Sequence, residues 1–145
     1  MPKWKIKRFD GLSLRELYAI LELRAEVFIV EQNCVYQDID GKDPKAFHLL
    51  GEIDSKIVAY ARLFKKGDYF EHASIGRVVV GEKFRDKKLG HELMRKAIAA
   101  LANLGETAIE ISAQLYLQKF YESHGFSAIG PSYLEDGIPH IKMLR

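Results

Sequence analysis

At 145 residues the chain is long enough for one domain, 1–145, that buries about two-thirds of its unfolded surface. Lys plus Arg total 22 against 20 Asp plus Glu, and the net charge of +2 supports neither a nucleic-acid partner nor a polybasic membrane contact. Cys34 is the only cysteine, which excludes an internal disulfide, and without a signal-like N-terminus or an apolar run of roughly 18 residues we expect a cytoplasmic protein.

WKIKRF (Trp4 to Phe9) alternates apolar and basic residues and predicts a strand with one wet face. After the Asp10-Gly11 turn, Ser13 and Glu16 make a capping-box pattern. Leu14, Leu17, Leu21, Ala25 and Phe28 trace a helical stripe to about Glu31, with a break near Arg24. Gln32 to Phe47 has turn residues and no sustained period, so it predicts a long loop. HLLGEID and KIVAYARLF predict two strands around an Asp54-Ser55 turn, and HASIGRVVV (His72 to Val80) a third.

A helix follows from about Lys87 to Leu104, with Leu89, Leu93, Ala97, Ile98 and Leu101 on one face and Gly105 as its stop. TAIEISA predicts a strand, LYLQKFYESHG a shorter helix ended by Gly125, and PHIKML a last strand. The order β-α-β-β-β-α-β-α-β implies an α/β fold with a central mixed sheet and helices on both faces.

The stretch RDKKLG (Arg85 to Gly90) is an unusual way to start that second long helix. Lysines at a helix N-terminus oppose the macrodipole at roughly 0.3–1 kcal/mol each, and a glycine in the first turn costs a similar amount. An anion at the helix start would reverse that account. The first N–H groups lack helical partners, Lys87 and Lys88 would become counter-charges, and Gly90 would admit the ligand to the backbone. Arg85 could then grip phosphate bidentately and Asp86 could cap the helix. Neither G-x-x-x-x-G-K-S/T nor G-x-G-x-x-G occurs in the chain.

At these residues the sequence resembles the GNAT superfamily of N-acetyltransferases, whose Q/R-x-x-G-x-G/A loop follows the fourth strand and holds the pyrophosphate of acetyl-CoA. Arg85 and Gly90 match it, whereas Lys88 replaces the middle glycine and Asp86 stands where another glycine is common. FYESHGF (Phe120 to Phe126) matches a later family helix. Leu23 to Asp43 and Tyr133 to Met143 are similar to the ElaA-like branch, so the resemblance covers nearly the whole chain.

The resemblance implies an acetyl-CoA co-substrate and direct attack of a primary amine on its thioester, with the acceptor a small molecule, peptide or protein. It implies that the fourth strand splays from the fifth and that Val78, Val79 and Val80 offer backbone groups to the donor. Arg85, Asp86, Lys87, Lys88, Leu89, Gly90 and His91 would surround the pyrophosphate. Tyr121 matches the tyrosine that often protonates the CoA thiolate. For the base, the ionisable candidates are Glu31, His48, Glu110, Glu135, Asp136 and His140, imidazole being the side chain suited to proton transfer near pH 7 in His140 and His48, and a water chain is the alternative.

Glu31, Glu135 and Asp136 are candidate contacts for the amine, and the acidic loop QDIDGKD (Gln37 to Asp43) is expected to attract it. The alternative is a CoA-binding sensor or interaction module of the same fold. No metal is expected, because DIDG fails the EF-hand register and Arg95 stands where H-E-x-x-H needs its second histidine. No G-x-S-x-G occurs, and Cys34 reads as a buried inert thiol. The assembly is open between monomer and homodimer.

Overall fold

The six strands that alternation and β-branched runs predict all form in the computed structural model, which describes residues Met1–Arg145. They are β1 (Lys3–Arg8), β2 (Phe47–Ile53), β3 (Lys56–Phe64), β4 (Ala73–Val80), β5 (Ile109–Gln114) and, last in the chain, β7 (Ile138–Leu144). A seventh strand, β6 (Ser127–Glu135), was not expected from the sequence. It carries Gly130 and Pro131, its register slips between Ile129 and Tyr133, and every residue in it is exposed. An edge strand broken by a bulge has no buried face, so it leaves no hydrophobic period to read.

The sheet order is β1-β2-β3-β4-β5-β7-β6, and only β4 and β5 run parallel. The mixed sheet carries a hydrophobic cluster on each face. On one, α2 (Leu89–Asn103) buries Leu93, Met94, Ala97 and Leu101 against β3, β4 and β5, and Tyr121 of α3 (Gln118–Glu122) joins the same cluster. On the other, α1 (Leu14–Arg24) packs Ile20 and Leu23 on Leu50, Tyr60 and Val79.

The capping box at Ser13 and Glu16 is formed in both directions. The stripe inferred for α1 needs correcting, because Leu14 is 87% exposed and the buried face is Ile20, Leu23 and Arg24. The break near Arg24 takes the form of a π-helical segment, Ala25–Glu31, which adds a residue to each turn and sets Val27 and Phe28 inward. No helix is long and apolar enough to cross a membrane.

Two departures from regular pairing open the sheet at its centre. β4 pairs with β5 only at Ala73 and Ser74, so the strands part beyond Ser74. On its other side, Tyr60 pairs with Val79 but Arg62 with Gly76, which leaves one extra residue on β4. That bulge holds Arg77 at φ +48, a left-handed conformation that costs a non-glycine residue roughly 1–2 kcal/mol.

Candidate active site

Where β4 and β5 part lies a cavity of about 450 Å³, lined on the β4 side by Ile75 to Val80 and closed by α3, the π segment and the β6–β7 turn. The pleat decides what β4 offers to it. Gly81 N–H donates to Val58 O at 2.8 Å, so the alternation turns Val79's polar groups toward β3. Val80's N–H and carbonyl face away from β3 instead, and Val78, unpaired in the bulge, lines the cavity. Of the three valines named from the sequence, Val79 therefore faces the ladder and its side chain is core.

Glu82–Lys87 continue from β4 as a 3-10 turn and Lys88 sits at φ +58, after which α2 begins at Leu89. Asp86 is consequently not the N-cap; Lys88 is, and its side chain makes no capping bond. The left-handed φ is what a glycine would adopt without strain, so Lys88 keeps the loop's shape at a conformational cost. Helical bonding resumes with Glu92 N–H to Lys88 O, which leaves the N–H groups of Leu89, Gly90 and His91 free at the helix start. Gly90 has no positive φ, and a Cβ there would touch only the Phe120 ring at 3.6 Å. Neither packing nor backbone requires a glycine at this position, which is consistent with room kept for a ligand.

The Arg85 side chain does something other than wait for phosphate. Its Nη1 and Nη2 donate to the two carboxylate oxygens of Glu31 at 2.5 and 2.8 Å, and its Nε donates to Val80 O at 3.0 Å. Arg85 thus clasps the end of β4 to the end of the π segment, and the pair holds the Glu31 carboxyl below its ordinary range. Glu31 lines the cavity but is not a free acid. His91 turns its ring onto His124, Nδ1 to Nε2 at 2.9 Å, so only its backbone faces the loop. Leu89 is core, and Asp86, Lys87 and Lys88 lie outside the cavity wall.

Tyr121 lines the cavity with 7% exposure. Burial raises its phenol well above the usual range, so it stays protonated through neutral pH. His140 also lines the cavity. Its Nδ1–H donates to Ile138 O at 2.7 Å, which leaves Nε2 as the acceptor of the neutral ring, 3.6 Å from Glu135 Oε2. His48 is elsewhere. It is buried outside the cavity wall, its Nε2–H donates to Asp43 O, and its Nδ1 accepts from the Tyr60 hydroxyl. With both nitrogens engaged and its pKa lowered by burial, His48 is a structural residue rather than a base. Glu110, which pairs with His72 and Lys142, also lies outside the cavity wall.

The acidic loop is corrected too. Asp38 accepts from Arg24 Nε at 3.0 Å and Arg77 Nε at 2.8 Å. Asp43 accepts from Arg24 at 2.8 Å and Arg62 at 3.0 Å, and Asp40 takes two bonds from Arg62. Three aspartates meet three arginines, all but Arg77 and Asp40 nearly shut from water, so the loop has no charge to spare for a ligand. Its effect on the site is mechanical, since Asp38 holds Arg77 and with it the β4 bulge. Periodicity missed Arg77, Ser112 and Gln114 among the lining residues, because a strand residue facing a gap looks like any surface polar.

A model of the acetyltransferase (GNAT) domain matches residues 16–145. Protein ElaA of Escherichia coli (strain K12) is 45% identical over 148 residues, covering 100% of this chain and 97% of that protein. The crystal structure of an acyl-CoA N-acyltransferase from Pseudomonas aeruginosa superposes with a TM-score of 0.93 at 44% identity over 99% of each chain. An aminoglycoside 6′-N-acetyltransferase complexed with coenzyme A shares the fold at a TM-score of 0.73 and 16% identity, over 97% of this chain and 96% of that one.

Proposed function

Since the chain belongs to the GNAT acetyltransferase family, we propose that it transfers the acetyl group of acetyl-CoA directly to a primary amine. Acyl transfer as such follows from the family; the acetyl donor and the amine acceptor are the proposal. The observation that carries it is the parted edge of β4, with Val78 and Val80 facing a cavity that also holds Tyr121 and His140.

Pantetheine would run along that edge, with the pyrophosphate against the amides of Leu89, Gly90 and His91. The backbone N–H of Val78 would donate to the thioester oxygen as it gains charge. The amine nitrogen forms a bond to the carbonyl carbon, the C–S bond breaks, and the sulfur leaves as thiolate. Tyr121 gives its proton to that thiolate, while His140 Nε2 takes the proton released by the amine. The proton gained by His140 sits against Glu135, which stabilises the imidazolium.

Thiol release followed across a panel of amines tests this. Tyr121→Phe is expected to lower kcat by about a hundredfold with acetyl-CoA affinity unchanged. Unchanged turnover would remove Tyr121 from the mechanism. CoA binding without turnover on any amine would make the protein a binding module instead.

A further inference from the structure

Counting the charges that line the cavity, and striking out those already paired, leaves an asymmetric remainder. The lining holds Arg77 and Arg85 as its only arginines and no lysine. Arg85 is spent on Glu31, and Arg77 on Asp38 and Asp40. No cation is left over to receive an anionic group. Glu135 and Asp136 remain, with no lysine or arginine against either.

A second observation concerns donors and acceptors. Ser112 Oγ–H donates to Glu135 Oε1 at 3.0 Å and accepts from the Tyr133 hydroxyl, which fixes the carboxylate's orientation. Glu135 Oε2 then faces His140 Nε2 across 3.6 Å, too far for a hydrogen bond. His140 is 7% exposed, and its Nδ1–H is committed to Ile138 O, so Nε2 presents to the cavity a lone pair with no protein donor against it. Two acceptors facing one another call for a group that supplies N–H bonds to both, and an amine does so. The adjacent Asp136 is held at φ +51 in the tight β6–β7 turn, with its carbonyl accepting from the Cys34 thiol at 3.2 Å. Val27, Phe28 and Ile138 supply an apolar wall beside these groups.

We propose that the acceptor end of the cavity selects amines bearing a second cationic group, such as aliphatic diamines, and discriminates against amines bearing a carboxylate or phosphate. Glu135 and His140 receive the reacting nitrogen, and Asp136 receives the second charge. This rests on the acetyl-transfer reading above.

Three acceptors of matched length isolate the charge: putrescine, n-butylamine and γ-aminobutyrate, assayed by thiol release from acetyl-CoA. The expected kcat/KM falls in that order, by about tenfold at each step, the equivalent of one charge-assisted hydrogen bond. Added salt should compress the spread. In a Glu135→Gln, Asp136→Asn double variant the ratio of putrescine to γ-aminobutyrate should collapse to within about threefold, the scale of a weak surface pair. Calorimetric binding to the CoA-saturated protein reads the same preference without turnover. γ-Aminobutyrate equal to putrescine in both assays, or a ratio that survives the double variant, overturns the selection. No thiol release from any acceptor, with putrescine still bound preferentially, refutes acetyl transfer and leaves the cation site standing.

Discussion

Two acidic segments have opposite fates, one outside the cavity wall and one lining it. Asp38, Asp40 and Asp43 fold under the sheet's centre onto Arg24, Arg62 and Arg77, while Glu135 and Asp136 sit on a hairpin turn with no basic side chain against them. The first segment reads in the sequence as the stronger attractant for a cation, and in the structure it attracts none. An aspartate's charge is available to a ligand only after the protein's own arginines have been satisfied. The buried group therefore serves the architecture, and the exposed pair keeps its charge free of lysine and arginine partners.

The most direct way to break this contrast is Asp43→Asn, which removes the carboxylate shared by Arg24 and Arg62 and leaves each buried guanidinium with one aspartate. Breaking a buried pair from one side costs about 3–5 kcal/mol, and urea unfolding should show a loss of that size. A loss below about 1 kcal/mol, the range of exposed pairs, would mean that water reaches the network freely. Asp38→Asn should combine a smaller loss of stability with a fall of about tenfold in kcat, on the scale of a misplaced hydrogen-bond donor. The bulge at Arg77 would lose its tether while the free amides of Leu89 to His91 stay in place.

Acid should reveal the same asymmetry. Asp40 and Asp43 have pKa values held below their unfolded values by Arg62 and Arg24 against the opposing effect of burial. The unfolded chain then binds more protons, so their contribution is full above about pH 5 and is lost as pH falls toward their folded pKa values. His48, lowered by burial, acts in the same direction from about pH 6.5 downward. Stability measured between neutrality and pH 3 should therefore fall steadily, and Asp43→Asn should flatten the slope. A slope unchanged in that variant would place the acid sensitivity elsewhere.

On the other side of the comparison, the Glu135→Gln, Asp136→Asn variant should keep its stability to within about 0.5 kcal/mol, as surface substitutions do. A larger loss would show that the turn depends on these charges. Smallest in stability but sharpest for the cofactor loop is Gly90→Ala, which should leave the melting temperature unchanged or slightly raised. It should nevertheless weaken acetyl-CoA binding several-fold if the missing Cβ serves the ligand. Unchanged affinity would remove that role from Gly90.

The chain's own pattern determined much of this. Alternation in β1, the β-branched run of β4, the Ser13 cap and the Gly105 and Gly125 stops carry their structure locally, because hydrophobic period and turn chemistry act over neighbouring residues. The apparent cost of the RDKKLG stretch leads to the expectation of an anion cradle, and the amides without helical partners at Leu89, Gly90 and His91 are a local consequence of where α2 starts. What only the tertiary structure decided is which polar side chains remain unpaired. Arg85 meets Glu31 across 54 positions, Arg77 meets Asp38 across 39, and Gln32 meets Gln114 across 82. Such partners are fixed by how the sheet opens at its centre and where the loop folds back, and no local period records them. A charge's chemistry depends on its neighbours in space, so the sequence named some of the cavity's residues, such as Tyr121 and His140, and missed Arg77, Ser112 and Gln114.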